Sequence, residues 1–542
     1  MAGAVAFGPE FLVNTSTALF QQVADVIGLA DGRFVIDWTD DGADGSISGV
    51  VAQAFNADGT HSGGPMLVNT ITAGPQNAMG MTALSDGRYV ITYQDGSTSP
   101  DDPSLSAIRA QIFNANGSHF GTEFLVNTDT FGGQTNSVAT ALDNGRFIIV
   151  WMDSSTATGA EIHAQLYGAN GARDGGEFQV NTTTFSTQDQ PSVTTLSNGQ
   201  FVITWYDESA QSADGSKSAI QAQMFNANGT PFGSEFLVNT TTNDFQVEPA
   251  ITALASGGFV ITWTDTSLST MFDPQYDIKG QIYDAAGAKS GGEFLVNTTT
   301  LSLQFNPDVT ALADGKFVVV WKDFSSLGGD ASPTSIKAQV FNANGTHFGT
   351  EFLVNTTTNG GQSTPQIAAL ADGRFVVTWT DSGENPGDTS DDAVRGQIFD
   401  ARTAAINLTG TALADGYVGT RFADTMAGGL GNDTLIGGAG GDRLLGGQGR
   451  DHLIGGAGAD RLTGGNGADV FVFGPADGKD RVTDYIDGTD RIDLSAFGFA
   501  DFASAASHFA NAGADLVFSF GTDTLTIQNF AMAGLNGGDL IL

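Results

Sequence analysis

The sequence predicts an all-β chain in which a seven-bladed β-propeller is followed by a run of much shorter repeats. Three observations carry that expectation. Seven copies of a unit of 54 to 58 residues fill residues 10–400, each with room for four short strands. The chain opens on an isolated fourth-type strand, Glu10 to Thr15, and the seventh copy stops after its third strand at Asp400. From Gly428 to Val472, five nine-residue units then follow end to end.

The long unit is anchored on Val-Asn-Thr, at Asn14, Asn69, Asn127, Asn181, Asn239, Asn297 and Asn355. A Gln stands seven residues after each Asn, from Gln21 to Gln362, and an aromatic residue stands 24 after it: Trp38, Tyr93, Trp151, Trp205, Trp263, Trp321 and Trp379. An Asp lies two residues beyond each aromatic, and a second Gln (Gln53, Gln111, Gln165, Gln223, Gln281, Gln339, Gln397) precedes an apolar-aromatic pair. Only the stretch between aromatic-x-Asp and that Gln changes length. Four strands fit each unit, as in Ala250–Leu254, Gly199–Trp205, Ile220–Phe225 and Glu235–Val238. They are rich in Val, Ile, Phe and Thr and separated by Asp-Gly or Asn-Gly turns. Seven such units indicate a propeller, with a β-solenoid or stacked sandwiches as alternatives. The strand at Glu10–Thr15 would close the ring beside Val394–Phe399; an open solenoid has no use for that offset.

In a propeller, the variable loops and the Asn-to-Gln loops leave one face. The variable loops are acidic, at Asp40–Asp44, Asp101–Asp102, Asp207–Asp214, Asp273–Asp277 and Asp381–Asp392. They suit a cation or sugar hydroxyls, or simply solvent. The repeated Asn and Gln could read sugars, but amides in every blade more economically close turns onto backbone groups. The aromatics share one strand face with Phe and Ile and read as packing between blades.

The short units are GGLGNDTLI, GGAGGDRLL, GGQGRDHLI, GGAGADRLT and GGNGADVFV, preceded in phase by GTALADGYV and GTRFADTMA. Position six is Asp in all seven, from Asp415 to Asp469, and position eight is always large: Tyr417, Met426, Leu435, Leu444, Leu453, Leu462 and Phe471. A flexible linker would not repeat that large residue. Glycines permit positive φ and leave carbonyls free to approach an ion, and carboxylate oxygens suit Ca²⁺. The pattern resembles the GGxGxDxUx nonapeptide of RTX proteins, which winds as a Ca²⁺-binding parallel β-roll. The resemblance implies two units per coil, so that every second unit stacks directly. Asp433 would then pair with Asp451, Asp442 with Asp460 and Asp451 with Asp469, several Ca²⁺ ions lying between the pairs. The implied metal residues are Asp424, Asp433, Asp442, Asp451, Asp460 and Asp469, with Gly429, Gly431, Gly438, Gly440, Gly447, Gly449, Gly456 and Gly458.

Residues 473–542 look like the segment that closes the roll in serralysin-type secreted proteases, in Phe473–Tyr485 and Gly488–Ser495. The end, Gly538-Asp-Leu-Ile-Leu542, resembles the signal read by type I secretion machinery of Gram-negative bacteria. The expected divisions are 1–403 (propeller), 404–472 (roll) and 473–542 (cap and signal). Composition agrees with an extracellular, Ca²⁺-loaded protein. Against 60 Asp and Glu stand 21 Lys and Arg, a formal net charge of -39. That excludes nucleic acid and anionic membranes as natural partners. The chain has no Cys for disulfides. No apolar run is long enough to span a membrane, and the N-terminus lacks a signal-peptide pattern, which leaves another export route.

Catalytic motifs are missing. There is no HExxH helix and no GxSxG elbow. The six His (His61, His119, His163, His347, His452, His508) show no evident acid partner in sequence. The expectation is a secreted, non-enzymatic Ca²⁺-binding protein whose propeller binds extracellular polysaccharide or a cell surface. Two alternatives remain: a glycosidase or lyase with carboxylates gathered from several blades, and a structural surface-layer or biofilm component.

Overall fold

The computed structural model describes residues 3–542 apart from 17–18, 99–101, 104–105, 156–158, 210–216, 269–274, 301, 328–331 and 384–391. Each long unit folds as a four-stranded antiparallel sheet, and seven such sheets form the propeller. Blade 4 is typical: Gln188–Thr195, Phe201–Asp207, Ala219–Phe225 and Pro231–Leu237. Blades 1 to 7 begin at Gln21, Gln76, Gln134, Gln188, Gln246, Gln304 and Gly361. The strands are longer than expected because the anchoring Gln starts the first strand and the fourth begins before its Glu. In blades 1, 3 and 5 the fourth strand shrinks to Met66–Leu67, Phe178–Gln179 and Phe294–Leu295. There a Gly–Gly pair interrupts it, with Gly63, Gly175 and Gly291 in the left-handed region.

The ring closes as expected, with a shifted register. Val5–Leu12, rather than Glu10–Thr15, pairs antiparallel with Ala393–Asp400. A bulge between Phe7 and Phe11 contains Gly8 at φ 69°, and it lets the strand start early. The strand ends early because the Asn14 side chain accepts the Val394 amide at 2.8 Å, which turns the chain away. The repeated aromatics are core: all six Trp and Tyr93 are at most 1% exposed, packed between successive sheets. Burying such a side chain contributes about 2–3 kcal/mol.

Beyond Asp400 the chain winds into two sheets, one of eight strands and one of six, parallel throughout except where Phe509–Ala512, Asp515–Phe520 and Asp523–Ile527 pair antiparallel at the end of the larger. Side chains one coil apart are in register, as in Met426↔Leu444↔Leu462 and Leu435↔Leu453↔Phe471. The large eighth-position side chains form one continuous core with Val482, Ile492, Leu525, Ile527 and Leu540. Both decayed units take part, through Gly416–Val418 and Thr425–Leu430, and Asn407–Thr409 adds a strand ahead of them. The sheets also run on past Val472, through Lys479–Val482, Arg491–Asp493, Asp523–Ile527 and Leu540–Ile541. The only α-helix among the described residues is Phe502–Ala506, and no helix there is long and apolar enough to cross a membrane.

The roll meets the propeller on the face of the tight turns. Gly416 N–H donates to Asp31 O at 2.8 Å and Tyr417 Oη to Ala30 O at 2.8 Å. Arg402 spans Asp372 O, Val418 O and Gly419 O. Gly32 permits this approach, since a Cβ there would overlap the Gly416 carbonyl. A cavity of about 540 Å³ between Arg33, Asn56, Asn116, Tyr417 and Asn432 remains at the junction. Among the described residues, the hydrogen bonds between roll and propeller lie on this face.

Candidate metal centre

The roll carries a ladder of buried carboxylates. Asp433, Asp442, Asp451, Asp460 and Asp469 are each 1–2% exposed. In every case Oδ1 accepts the backbone N–H of the Asp one coil earlier, at 2.7–3.0 Å. In every case Oδ2 is buried without any hydrogen-bond partner. Five identical unsatisfied carboxylate oxygens are costly in a folded protein unless a cation meets them. The donors beside them are hard oxygens. A Cβ on Gly446 would overlap Asp451 Oδ2 and come within 2.6 Å of the Gly464 carbonyl oxygen, so both oxygens converge on one small space. Carboxylate and carbonyl oxygens without nitrogen or sulfur fit Ca²⁺. Burial first, and then the charge of stacked neighbours, push Asp433, Asp442 and Asp469 up to about 6. Without a cation, the ladder resists ionisation.

The residues expected at this site divide. The second and fourth glycines serve the stacking of coils: Gly447, at φ 116°, would bring a Cβ onto the Gly429 carbonyl. The first glycines, Gly428, Gly437, Gly446, Gly455 and Gly464, are the ones against the carboxylates, and the expected set omits them. Asp424 lies in the ladder but differs, since Thr420 and Ile406 satisfy both its oxygens. Asp415 is satisfied in the same way by the Thr411 amide and hydroxyl. At the far end the ladder outruns the nonapeptides. Asp480 Oδ1 accepts Asp460 N–H at 3.0 Å, its Oδ2 is unpaired, and it is pushed up to about 8, mainly by burial. The signal is present as Gly478-x-Asp480-x-Val482, hidden because Asp480 stands 20 positions from Asp460 where the repeat sets 18. Asp490 repeats the relation to Asp469, but Ile486 N–H takes its other oxygen and the column ends.

The propeller uses its polar repeats for structure. Each anchor Asn accepts a third-strand amide at 2.8–2.9 Å. Each also donates to the Gln seven residues on. Gln76, Gln188 and Gln362 pass the chain to the second-strand Asp95, Asp207 and Asp381 at 3.0–3.2 Å. The Glu of Glu-Phe-Leu/Gln-Val accepts from the Thr after the previous blade's Asn: Glu123 from Thr70, Glu177 from Thr128, Glu235 from Thr182, Glu10 from Thr356. Ring closure thus uses the same clasp as the internal junctions. A cation sits between that Glu and the second-strand Asp in blades 2, 5, 6 and 7: Arg109, Lys279, Lys337 and Arg395. Blade 3 places His163 there, with Nδ1 2.7 Å from Glu177 Oε1. This corrects the expectation that no histidine has an acid partner; the two are far apart along the chain, and only sheet pairing brings them close.

Among the acidic variable loops, Asp101, residues 210–214, Asp273 and residues 384–391 lie outside the described residues. Asp44, Asp102 and Asp277 are bonded to anchor Asn side chains. Bridges such as Ser48↔Pro75 and Ser106↔Gly133 put the variable and Asn-to-Gln loops on one face, as expected. That face also carries exposed phenyl rings: Phe20, Phe131, Phe185 and Phe245 are 44%, 74%, 59% and 39% exposed.

Residues 418–453 and 445–477 match the family described as RTX calcium-binding nonapeptide repeat. No curated protein matches the chain. Among solved structures, a protein of unknown function from Dyadobacter fermentans is 13% identical, covers 74% of this chain and 100% of its own, and has a TM-score of 0.46. The polysaccharide lyase Uly1 is 9% identical over 72% of this chain and 92% of its own, at 0.46. An α-L-arabinanase of Penicillium chrysogenum in complex with arabinobiose is 13% identical over 60% and 93%, at 0.42. These likenesses carry no argument about activity. The chain joins a seven-bladed propeller to RTX calcium-binding repeats wound as a C-terminal β-roll.

Proposed function

We propose that this is a secreted, Ca²⁺-folded protein whose propeller is an extracellular binding module for polysaccharide, presented on its loop face. The observation that carries the Ca²⁺ half is the row of unpaired Oδ2 atoms at Asp433, Asp442, Asp451, Asp460, Asp469 and Asp480. Each would ligate one ion together with glycine carbonyls of the adjoining coil. Inside a cell, where Ca²⁺ is scarce, the carboxylates repel and the roll stays unfolded and exportable. Outside, Ca²⁺ in the roughly millimolar range typical of extracellular modules neutralises them. On this reading residues 1–403 are the cargo, 404–472 the folding device, and 473–542 the cap with the signal for a type I machinery of a Gram-negative bacterium.

The ligand half rests on Phe20, Phe131, Phe185 and Phe245. Exposed aromatic rings beside hydroxyls and carboxylates provide the mixed apolar and polar surface that sugar rings need, and the roll does not cover it. The test is retention of the Ca²⁺-loaded full chain on a panel of immobilised neutral and anionic polysaccharides. Retention that falls at least about tenfold in a Phe131→Ala/Phe185→Ala variant supports the reading, as each lost stacking contact is worth ~1 kcal/mol. No retention on any member, or release of new chain ends, overturns it; the latter outcome favours the glycosidase or lyase.

A further inference from the structure

Blade 3 settles its acid clasp unlike any other blade. In blades 2, 5, 6 and 7 the second-strand Asp and fourth-strand Glu share a permanent cation from Arg or Lys. In blade 3 they face an imidazole, and a third carboxylate joins them. Asp153 and Glu161 are directly opposed across the second and third strands, and His163 follows two residues later on the same face. One ligand atom each from Asp153, His163 and Glu177 lie within 4.8 Å of one another. Asp153 and Glu161 are 0% and 1% exposed, while His163 and Glu177 are 18% and 9%, so the cluster is deep yet reachable from solvent.

We propose that Asp153, His163 and Glu177, assisted by Glu161, form a site for a transition-metal dication of the zinc, cobalt or manganese type. Glu161 supplies an observation independent of the clasp. Its Oε2 accepts the Asn181 and Gln179 amides, but its Oε1 is buried without a partner. Oε2 does for Asn181 what Asp44, Asp102 and Asp277 do for their anchor Asn, so the structural role uses one oxygen and leaves Oε1 over, at a place where blades 2, 4 and 7 hold Ala107, Ala219 and Ala393. Blade 5 does hold an acid, Asp277, opposite Asp265, but there a permanent cation, Lys279, pairs with Asp265. Blade 3 combines that additional acid with the one clasp residue that can exchange its proton for a metal. A protonated His163 satisfies one negative charge among three; a dication supplies two. Burial opposes the imidazolium, but the Glu177 hydrogen bond and the charges of Asp153 and Glu161 hold His163 above its ordinary value. Metal binding releases the imidazole proton to solvent and frees its nitrogen lone pair. Imidazole with carboxylates suits first-row dications, whereas Ca²⁺ prefers all-oxygen shells, so the site is chemically distinct from the roll and independent of the function proposed above.

The test uses the full chain in millimolar Ca²⁺, which fills the roll, with Co²⁺ as the probe. Wild type should take up one Co²⁺ with a visible d–d absorption band, displaced by Zn²⁺. His163→Lys rebuilds the cationic clasp of blade 6 and should keep thermal stability while losing the band. Glu161→Gln should bind about tenfold more weakly. Absence of the band in wild type, or the same band and stoichiometry in H163K, overturns the site. If H163K does not fold, E161Q decides: weakened uptake supports the proposal and unchanged uptake overturns it.

Discussion

Aspartate recurs at fixed places in both halves of this molecule, with opposite consequences. In the propeller the Asp that recurs two residues after the aromatic is tied into protein donors, as by Gln188 and Ser209 for Asp207 and by Arg395 and Gln362 for Asp381. In the roll each ladder Asp from Asp433 to Asp469 has one oxygen bonded and one bare. The difference lies in neighbours. A propeller Asp faces long side chains that bring charge and amides, whereas a roll Asp faces glycines, which bring only backbone. Periodicity alone therefore does not tell a structural carboxylate from a metal ligand; the partner on the second oxygen does.

Chelation should break that comparison most sharply. Removing Ca²⁺ from the full chain should unfold the roll and leave the propeller intact, seen as protease cleavage confined to residues beyond 404 and partial loss of β signal by circular dichroism. Equal sensitivity of both halves would contradict the assignment. Next in size, Gly446→Ala should abolish Ca²⁺-dependent folding of its coils about as fully as Asp451→Ala, because the new methyl overlaps Asp451 Oδ2. Gly63→Ala in the propeller meets nothing within 4 Å and should cost only about 1 kcal/mol for its left-handed φ. Opening the ring comes third. Glu10→Gln weakens bonds to Thr356, Thr357 and Arg395 and should lower propeller stability by about 2 kcal/mol. Glu235→Gln, whose clasp faces Gln221 in place of a cation, should cost less in the same thermal-denaturation assay.

The smallest effect is a pH dependence. Asp25 and Asp308 are pushed up to about 7 and about 6, chiefly by burial within the propeller. Because their folded values lie above the unfolded one, their stabilising contribution is complete below about pH 4 and is lost as pH rises through 6–7. The propeller transition of Ca²⁺-saturated protein should therefore melt lower at pH 8 than at pH 5.5. Burial and the charge of Asp25 also hold Asp37 well above its ordinary value, so Asp25→Asn/Asp37→Asn/Asp308→Asn should flatten that slope; an unchanged slope assigns it elsewhere.

Much of this was legible in the chain because repetition exposes local chemistry. Tyr417 to Phe471 announced a core, and Asn14 to Asn355 announced a seven-fold junction. What escaped was whatever broke the period or lay across strands. Asp480 falls two positions late relative to its partner Asp460, so a search at the coil period misses it. Glu177 meets His163 through sheet pairing. The phenyl rings all lie in Asn-to-Gln loops, but Phe131 and Phe185 stand four residues after their Asn and Phe20 and Phe245 six after theirs, so no single position marks them.

The sequence by itself determined the blade count and that an N-terminal strand closes the ring, because both follow from side-chain size and turn residues at a fixed period; the two-unit coil came from the likeness of the nonapeptides to a known repeat. Only the tertiary structure decided which carboxylates are satisfied. That depends on what stands within about 3 Å of a second oxygen, and in a sheet or a coil those atoms come from residues 14, 18 or 53 positions away.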